Sequence, residues 1–148
     1  NRATLDLLLD EAALPGFNDS GAHITNMAFF DANLMSLKLA QGRDLQTVAT
    51  MVKRLTREPA EFFGLDVGTL DIDAQADITL IDPDVLMSWD SNNTRRLEYR
   101  EIFDHEQMVN RPEGVVTRVF IRGHCVWAGG SFKDALGTKV LGRALRAA

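Results

Sequence analysis

An acid set between glycines is the feature of this sequence most able to do chemistry: Gly16-Phe17-Asn18-Asp19-Ser20-Gly21-Ala22-His23. It follows the apolar run Ala12-Ala13-Leu14-Pro15 and precedes a long amphipathic segment. A carboxylate on a tight, glycine-flanked turn is how barrel enzymes present a catalytic group at the end of a strand. There it can take a proton from a nucleophile and deliver it to a leaving group, provided the acid is ionised at rest. Asp also caps turns, so the turn alone fits a structural role equally well. His23 stands four residues on. It can orient Asp19, contact a substrate carboxylate, or serve as a structural residue at a helix start. Ser20 is not a nucleophile of the G-x-S-x-G kind, because Asn18-Asp19-Ser20-Gly21-Ala22 lacks the first glycine of that elbow.

Other reactive side chains are less well placed. His105 lies in the trio Asp104-His105-Glu106, in a polar stretch where such clusters are expected to be solvated. His124 and Cys125 are neighbours on a predicted hairpin, so they point to opposite faces and cannot form a two-ligand site by themselves. Cys125 reads as a small core residue. Arg95, Arg96 and Arg100 could bind an anion, but Glu98 and Glu101 interleave with them, which predicts a solvated face. Trp89, Trp127 and the pair Phe62-Phe63 are expected to pack between the two halves of the chain.

The elements that position these groups fall into two halves. Up to about Leu65 the pattern is helical: Leu5, Leu8, Leu9 and Ala12 keep a 3.6-residue period, and residues 28–40 are apolar enough for a buried helix. Gly42 breaks that helix and Asp44 is a plausible N-cap for the next, on which Leu45, Val48, Val52 and Leu55 share one face. Pro59 ends it and can start a short turn that Gly64 stops. Beyond Asp66 the period shortens. Residues 67–73 and 77–82 read as strands, with Pro83 closing the second. Residues 84–113 read as a polar connection centred on the loop signal Ser91-Asn92-Asn93. Residues 115–121 are the strongest strand, followed by a turn at Arg122-Gly123-His124, a second strand at Cys125-Val126-Trp127, and a stop at Gly129-Gly130. Helices first and antiparallel strands afterwards place a boundary near residues 64–66, dividing the chain into 1–65 and 66–148.

Composition narrows the classes. A chain of 148 residues holds one ordinary domain or parts of two. A formal charge of −5 with 25% charged residues, the basic ones scattered, indicates a soluble globular protein and no nucleic-acid partner. No apolar stretch approaches the ~20 residues that span a bilayer, so no membrane partner is expected. Asn1-Arg2-Ala3-Thr4 leads into helix-like sequence with no signal peptide. The single cysteine excludes an internal disulfide and fits a reducing compartment, so cytoplasm is the expected location.

Five motifs, in order along the chain, carry a family resemblance. Residues 16–23 resemble the G-x-S-D-x-G-A-H turn of N-acyl-D-amino-acid deacylases (D-aminoacylases), members of the metal-dependent amidohydrolase superfamily. Residues 55–65, Leu-Thr-Arg-Glu-Pro-Ala-Glu-Phe-Phe-Gly-Leu, resemble the superfamily's T-x-x-P-A-x-x-x-G-L segment at the end of the barrel. Gly68-Thr69-Leu70 with residues 76–83 is similar to the entry into its small β-domain. Arg111-Pro112-Glu113-Gly114-Val115 with residues 119–123 is similar to the deacylases' P-x-G-I-x-x-V-x-V-N-G hairpin, and Gly142-Arg143-Ala144-Leu145-Arg146 to their G-R-x-L-R ending.

The resemblance implies the C-terminal end of a (β/α)8, TIM-like barrel followed by a small antiparallel β-sandwich domain. A whole barrel takes ~250 residues, so the barrel here is incomplete. It implies Asp19 as the catalytic carboxylate after the eighth strand, beside a zinc-bound water whose proton it takes and passes to the leaving amine, and it leaves Asp19 a possible metal contact. It implies His23 as a substrate-binding residue and an N-acyl amino acid as the small-molecule substrate. The family holds zinc with a His-x-His pair, a mid-barrel Cys or modified Lys, and later histidines. This chain has three histidines, at 23, 105 and 124, and no His-x-His. A catalytic zinc needs about three protein ligands plus an open position. The other ligands are therefore absent from this chain, and the fragment is expected to bind no zinc and to be inactive alone. The missing partner is the rest of the barrel, from the same protein or another chain, and a homo-oligomer is possible. Asn18 stands where the family has Ser, and Asp73 where it has a turn glycine, a position an Asp tolerates better than most residues. Residues 24–30 replace an aromatic-rich tract of many D-aminoacylases, so the pocket differs. Two alternatives stay open: an amidohydrolase acting on another, cyclic amide, and a non-catalytic assembly or binding module.

Overall fold

The computed structural model describes residues 2–15 and 32–147. Its first part is helical. Helix α1 (Arg2–Leu8) packs on α2 (Ala32–Gln41) and α2 on α3 (Leu45–Leu55), around a core of Leu5, Ala40 and Met51 flanked by Leu8, Leu9, Leu37 and Leu55. Gly42 and Arg43 turn the chain between α2 and α3. Asp44 then caps α3 as its sequence position predicts, its Oδ1 accepting from the Thr47 N–H at 2.7 Å and from the Thr47 hydroxyl at 2.8 Å. The Thr47 backbone bond and then its hydroxyl bond hold the Asp44 carboxyl below the ordinary carboxylate range. A depressed folded-state pKa stabilises the fold above the unfolded value of 3.8, and that contribution is lost as pH falls through the folded value. Asp44→Ala should therefore lower Tm by about 3 °C at neutral pH, with the gap to the wild type closing in strong acid. A thermal melt across pH checks this, and a gap that persists below pH ~2 would contradict it.

The buried face of α3 differs from the apolar stripe expected from sequence. Thr47, Met51 and Arg54 point into the core. Leu45 and Val52 are 82% and 46% exposed. Thr47 is tied to the cap, and Arg54 is drawn inward by carbonyls at and beyond the end of α1. Helix α4 (Arg57–Phe62) starts at Thr56 and carries Pro59 in its third position, so the proline sits in the first turn of a new helix. Gly64, at φ 63°, ends α4, and the Leu65 N–H returns to the Ala60 carbonyl at 2.8 Å.

Residues 67–73 do not form the expected strand. Leu70 and Ile72 alternate with polar residues, but among the described residues no strand pairs with them, and both project into solvent. Gly68 here is fixed by sterics. Its φ is 88°, and a Cβ would meet the Thr56 carbonyl oxygen at 2.8 Å and its carbon at 2.9 Å. Gly68→Ala should cost about 2 kcal/mol or more in urea unfolding, whereas Gly129→Ala, also at positive φ but with nothing within 4 Å, should cost about 1 kcal/mol. Equal costs at the two positions would contradict this. Asp73 takes φ 68°, the left-handed conformation for which the sequence pattern uses glycine.

The main sheet has the order β1-β4-β5-β6, all antiparallel. Its strands are β1 (Ile78–Ile81), β4 (Val116–Ile121), β5 (His124–Ala128) and β6 (Ser131–Phe132). The β4–β5 turn is Arg122-Gly123, at φ 48° and 78°, so His124 opens β5 instead of completing the turn. Gly129-Gly130, at 61° and 76°, is not a stop but a second tight turn into β6. Asp77 ties the first turn to the start of β1, accepting from the Arg122 N–H at 2.8 Å.

Pro83 does close β1, and it is also the first residue of α5 (Pro83–Ser88), capped by Asp82. The expected polar connection after it is largely ordered. A short helix α6 (Ser91–Thr94) leads into an antiparallel ribbon of β2 (Arg95–Arg100) and β3 (His105–Asn110), paired from Arg95↔Asn110 to Arg100↔His105. Helices and sheet share a second core. Leu86, Trp89 and Val115 are buried against Leu34, Met35 and Leu37 of α2. Gln41 donates to the Pro83 carbonyl at 2.8 Å and Lys38 Nζ to the Trp89 carbonyl. Trp89 thus packs between the halves as expected. Phe62 and Phe63 do not: they stack edge-on at 5.0 Å and are 70% and 61% exposed. Trp127 instead meets Phe132 within the sheet, at 5.0 Å.

Candidate functional site

The turn at residues 16–23, with Asp19, Ser20 and His23, lies outside the described residues. What the structure places is its frame. The chain enters the turn from the end of α1, and it leaves into α2, the helix that spans both cores.

The entry to the turn is held by Arg54, a residue whose sequence position gave no sign of a role. Its guanidinium is 3% exposed. Nε donates to the Leu8 carbonyl at 2.7 Å, Nη2 to the carbonyls of Asp10 (2.7 Å) and Ala13, and Nη1 to Glu58 Oε2 at 3.2 Å. Asp10 Oδ1 closes the same loop by accepting from the Ala12 N–H at 2.9 Å. The planar fork of donors suits this, because one side chain can satisfy several carbonyls that a finished helix leaves unpaired. Arg54 therefore fixes the five residues that lead into the Asp19 turn. The signal in the sequence was its spacing of three from Met51 and seven from Thr47, which puts it on the buried stripe.

The remaining reactive residues do not converge. Asp104 and His105 of the Asp104-His105-Glu106 trio face separate partners. Asp104 sits at φ 53° and accepts from the Tyr99 hydroxyl at 2.6 Å, and that bond holds the Tyr99 phenol above its ordinary pKa. His105 Nδ1 meets the Phe103 carbonyl at 2.9 Å, while Nε2 is buried without a partner among the described residues. The trio is thus the corner of an ordered ribbon, not a solvated loop. His124 and Cys125 are consecutive on β5, His124 exposed and Cys125 half-buried with Sγ 3.4 Å from the Trp127 carbonyl. Among the described residues no group of three or more His, Cys, Asp or Glu could hold a metal ion. The described donors do not fit a catalytic zinc.

Beside α3 runs an apolar groove of about 370 Å³ between that helix and β1, lined by Leu37, Leu45, Val48, Val52, Ile81 and Leu86 among others. It carries three residues of the shared apolar face that the sequence pattern picks out on this helix. No helix among the described residues is long and apolar enough to cross a membrane.

Comparison with known proteins gives first a class of chemistry. A stretch of 49 residues, 33% of this chain, is 45% identical to a dihydroorotase of Geotalea daltonii and covers 11% of that enzyme. The longer likeness is to particular proteins of no stated activity. Over 143 residues and 89% of the chain it is 38% identical to an uncharacterized protein of Mycobacterium bovis and to one of Mycobacterium tuberculosis, of which it covers 23%. The chain thus spans about a quarter of the length of these relatives. No family model matches it, and no solved structure does.

Proposed function

We propose that this chain is the C-terminal part of a metal-dependent amidohydrolase that hydrolyses the amide bond of N-acyl-D-amino acids. The carrying observation is the 45% identity to a dihydroorotase over 49 residues, which supports amidohydrolase chemistry. The five motifs in superfamily order support the same reading. The incomplete-barrel reading draws on two further facts: relatives about four times as long, and the apolar groove beside α3. A face carrying Leu45, Val48 and Val52 is what a helix at the end of a barrel presents to the neighbour it packs on. In this reading residues 1–65 close the barrel and residues 66–148 form the small β-domain. The metal is held by residues elsewhere in the full-length protein.

Asp19 is the group this chain contributes to the chemistry. Ionised at rest, it accepts the proton of the attacking water and returns it to the amine as the C–N bond breaks. His23, four residues further on, binds the substrate carboxylate. Arg54 positions the approach to both. The protein acts in the cytoplasm on a small molecule.

A second reading takes its support from the same 49 residues. A dihydroorotase is named for a cyclic amide, and ring opening needs the same proton transfer with no released amine. The full-length, metal-loaded protein assayed against N-acetyl-D-amino acids, their L-enantiomers and dihydroorotate separates the two. Turnover of the D-series alone supports the first reading and turnover of dihydroorotate alone the second. No amide hydrolysis with any member of the panel would contradict both.

A further inference from the structure

A second cavity opens at the foot of the β2–β3 ribbon. Its volume is about 530 Å³, and it lies between the end of α5, α6, the start of β2 and the connection from β3 to β4. Pockets of roughly 300–1,000 Å³ are the usual size for small ligands. We propose that it binds a small monocarboxylate with an apolar body, the carboxylate held by Arg95 and Arg111 and the body set against Val85, Trp89 and Pro112.

The polar groups behind the cavity are already fixed. Trp89 Nε1 donates to Thr94 Oγ1 at 2.7 Å, Thr94 donates to Asn110 Oδ1 at 2.5 Å, and Asn110 Nδ2 donates to Ser91 Oγ at 2.8 Å. That chain of bonds ties α5, α6 and β3 together, so the cavity keeps its shape without a ligand. Two of the guanidinium groups, those of Arg96 and Arg111, are held too. Glu98 takes Arg111 at 3.2 Å and Arg96 at 3.6 Å, one contact each, which leaves most of their five N–H donors available. Arg95 makes none of the ion pairs found among the described residues. Donors arranged in advance cost less to order on binding, and a guanidinium fork matches a carboxylate edge to edge.

Charge selects the ligand. Arg95, Arg96 and Arg111 line the cavity together with Asp90 and Glu113. The Asp90 carboxylate is committed to α6, accepting from the Asn92 N–H at 3.0 Å and from the Asn93 side-chain amide at 3.2 Å. One positive charge is in excess at the lining, and Glu98 behind it brings the neighbourhood to neutrality. Such a field favours a single negative charge placed in hydrogen-bond geometry and disfavours a dianion. Val85, Trp89 and Pro112 supply the apolar wall.

Benzoate is the probe, with benzyl alcohol as its neutral counterpart and phthalate as the dianion. The chain carrying Trp127→Phe keeps Trp89 as its one tryptophan, so its emission reports on the cavity. The expected result is a saturable change with benzoate, none with benzyl alcohol, and weaker binding of phthalate. Arg95→Ala and Arg111→Ala should each raise the benzoate Kd about tenfold, the scale of one lost charge-assisted hydrogen bond. Arg43→Ala, on the α2–α3 turn, should leave it unchanged. All three positions are exposed, so these variants keep the fold. No saturable response, an equal response to benzyl alcohol, tighter binding of phthalate, or an unchanged Kd in both cavity variants would overturn the assignment.

Discussion

Arg54→Ala should destabilise the chain by about 3 kcal/mol, with a fall in Tm of roughly 10 °C. The side chain is buried and its guanidinium serves the carbonyls of Leu8, Asp10 and Ala13 as well as the Glu58 carboxylate. Removing it takes the donor from the Leu8 and Ala13 carbonyls, while the Asp10 carbonyl keeps the Ala13 N–H at 3.0 Å, and each orphan costs about 1–3 kcal/mol when it stays dry. Asp10 is exposed, so water replaces part of what is lost there, and the total falls short of the simple sum. The cavity left under α1 adds to the cost, because the stem of Arg54 packs beside Met51 on the core face of α3. Arg54→Lys should recover only part of the loss. It keeps the charge but cannot reach several carbonyls at once. Urea unfolding checks both variants: the midpoint should move with the slope unchanged, and a shift in Arg54→Ala worth under about 1 kcal/mol would show that the fork is dispensable.

The same substitution carries a functional consequence. Residues 9–13 lead straight into the Asp19 turn, and Arg54 is what holds them. Loosening the approach should reduce turnover of the full-length protein even at temperatures where it stays folded, since a displacement of about 1 Å in a reacting group costs on the order of a hundredfold.

Local features of the fold were legible in the sequence, and the reason is that their causes are local. The Asp44 cap, the break at Gly42, the stop at Gly64 and the left-handed Asp73 each depend on a few neighbouring residues, and each appears where the pattern places it. Features with a distant cause were not. Residues 67–73 have the alternation of a strand, but a strand also needs a partner, and no pattern within seven residues says whether one exists. The β2–β3 ribbon shows the reverse. Arg96-Leu97-Glu98-Tyr99-Arg100 does alternate charged with apolar residues, but the run is short and set in a polar stretch, so composition outweighed the period. Cross-strand pairs such as Leu97↔Met108 and Tyr99↔Glu106 support it instead, together with the Tyr99–Asp104 bond at its corner. On α3 the period was visible but its phase was set elsewhere, by the carbonyls that draw Arg54 inward and turn Leu45 and Val52 out.

The candidate site divides in the same way. A glycine-flanked acid is readable as a turn, and its order among the other motifs suggests the chemistry. In the proposed reading its partners lie outside this chain, so no local pattern names them. Arg54 and Arg111 escaped the sequence reading because an isolated arginine looks alike whether it is solvated, buried under carbonyls or lining a cavity.

The proposal that Asp19 is the proton-transferring carboxylate of an amidohydrolase is tested most directly by Asp19→Asn in the full-length protein, with turnover and bound metal measured on the same sample. The amide is nearly the same size as the acid but cannot take a proton, so positioning is retained while the transfer is lost. The account predicts a fall in kcat of about a thousandfold, with KM and metal content close to those of the wild type. Turnover within a few-fold of the wild type, with the metal still in place, would contradict it.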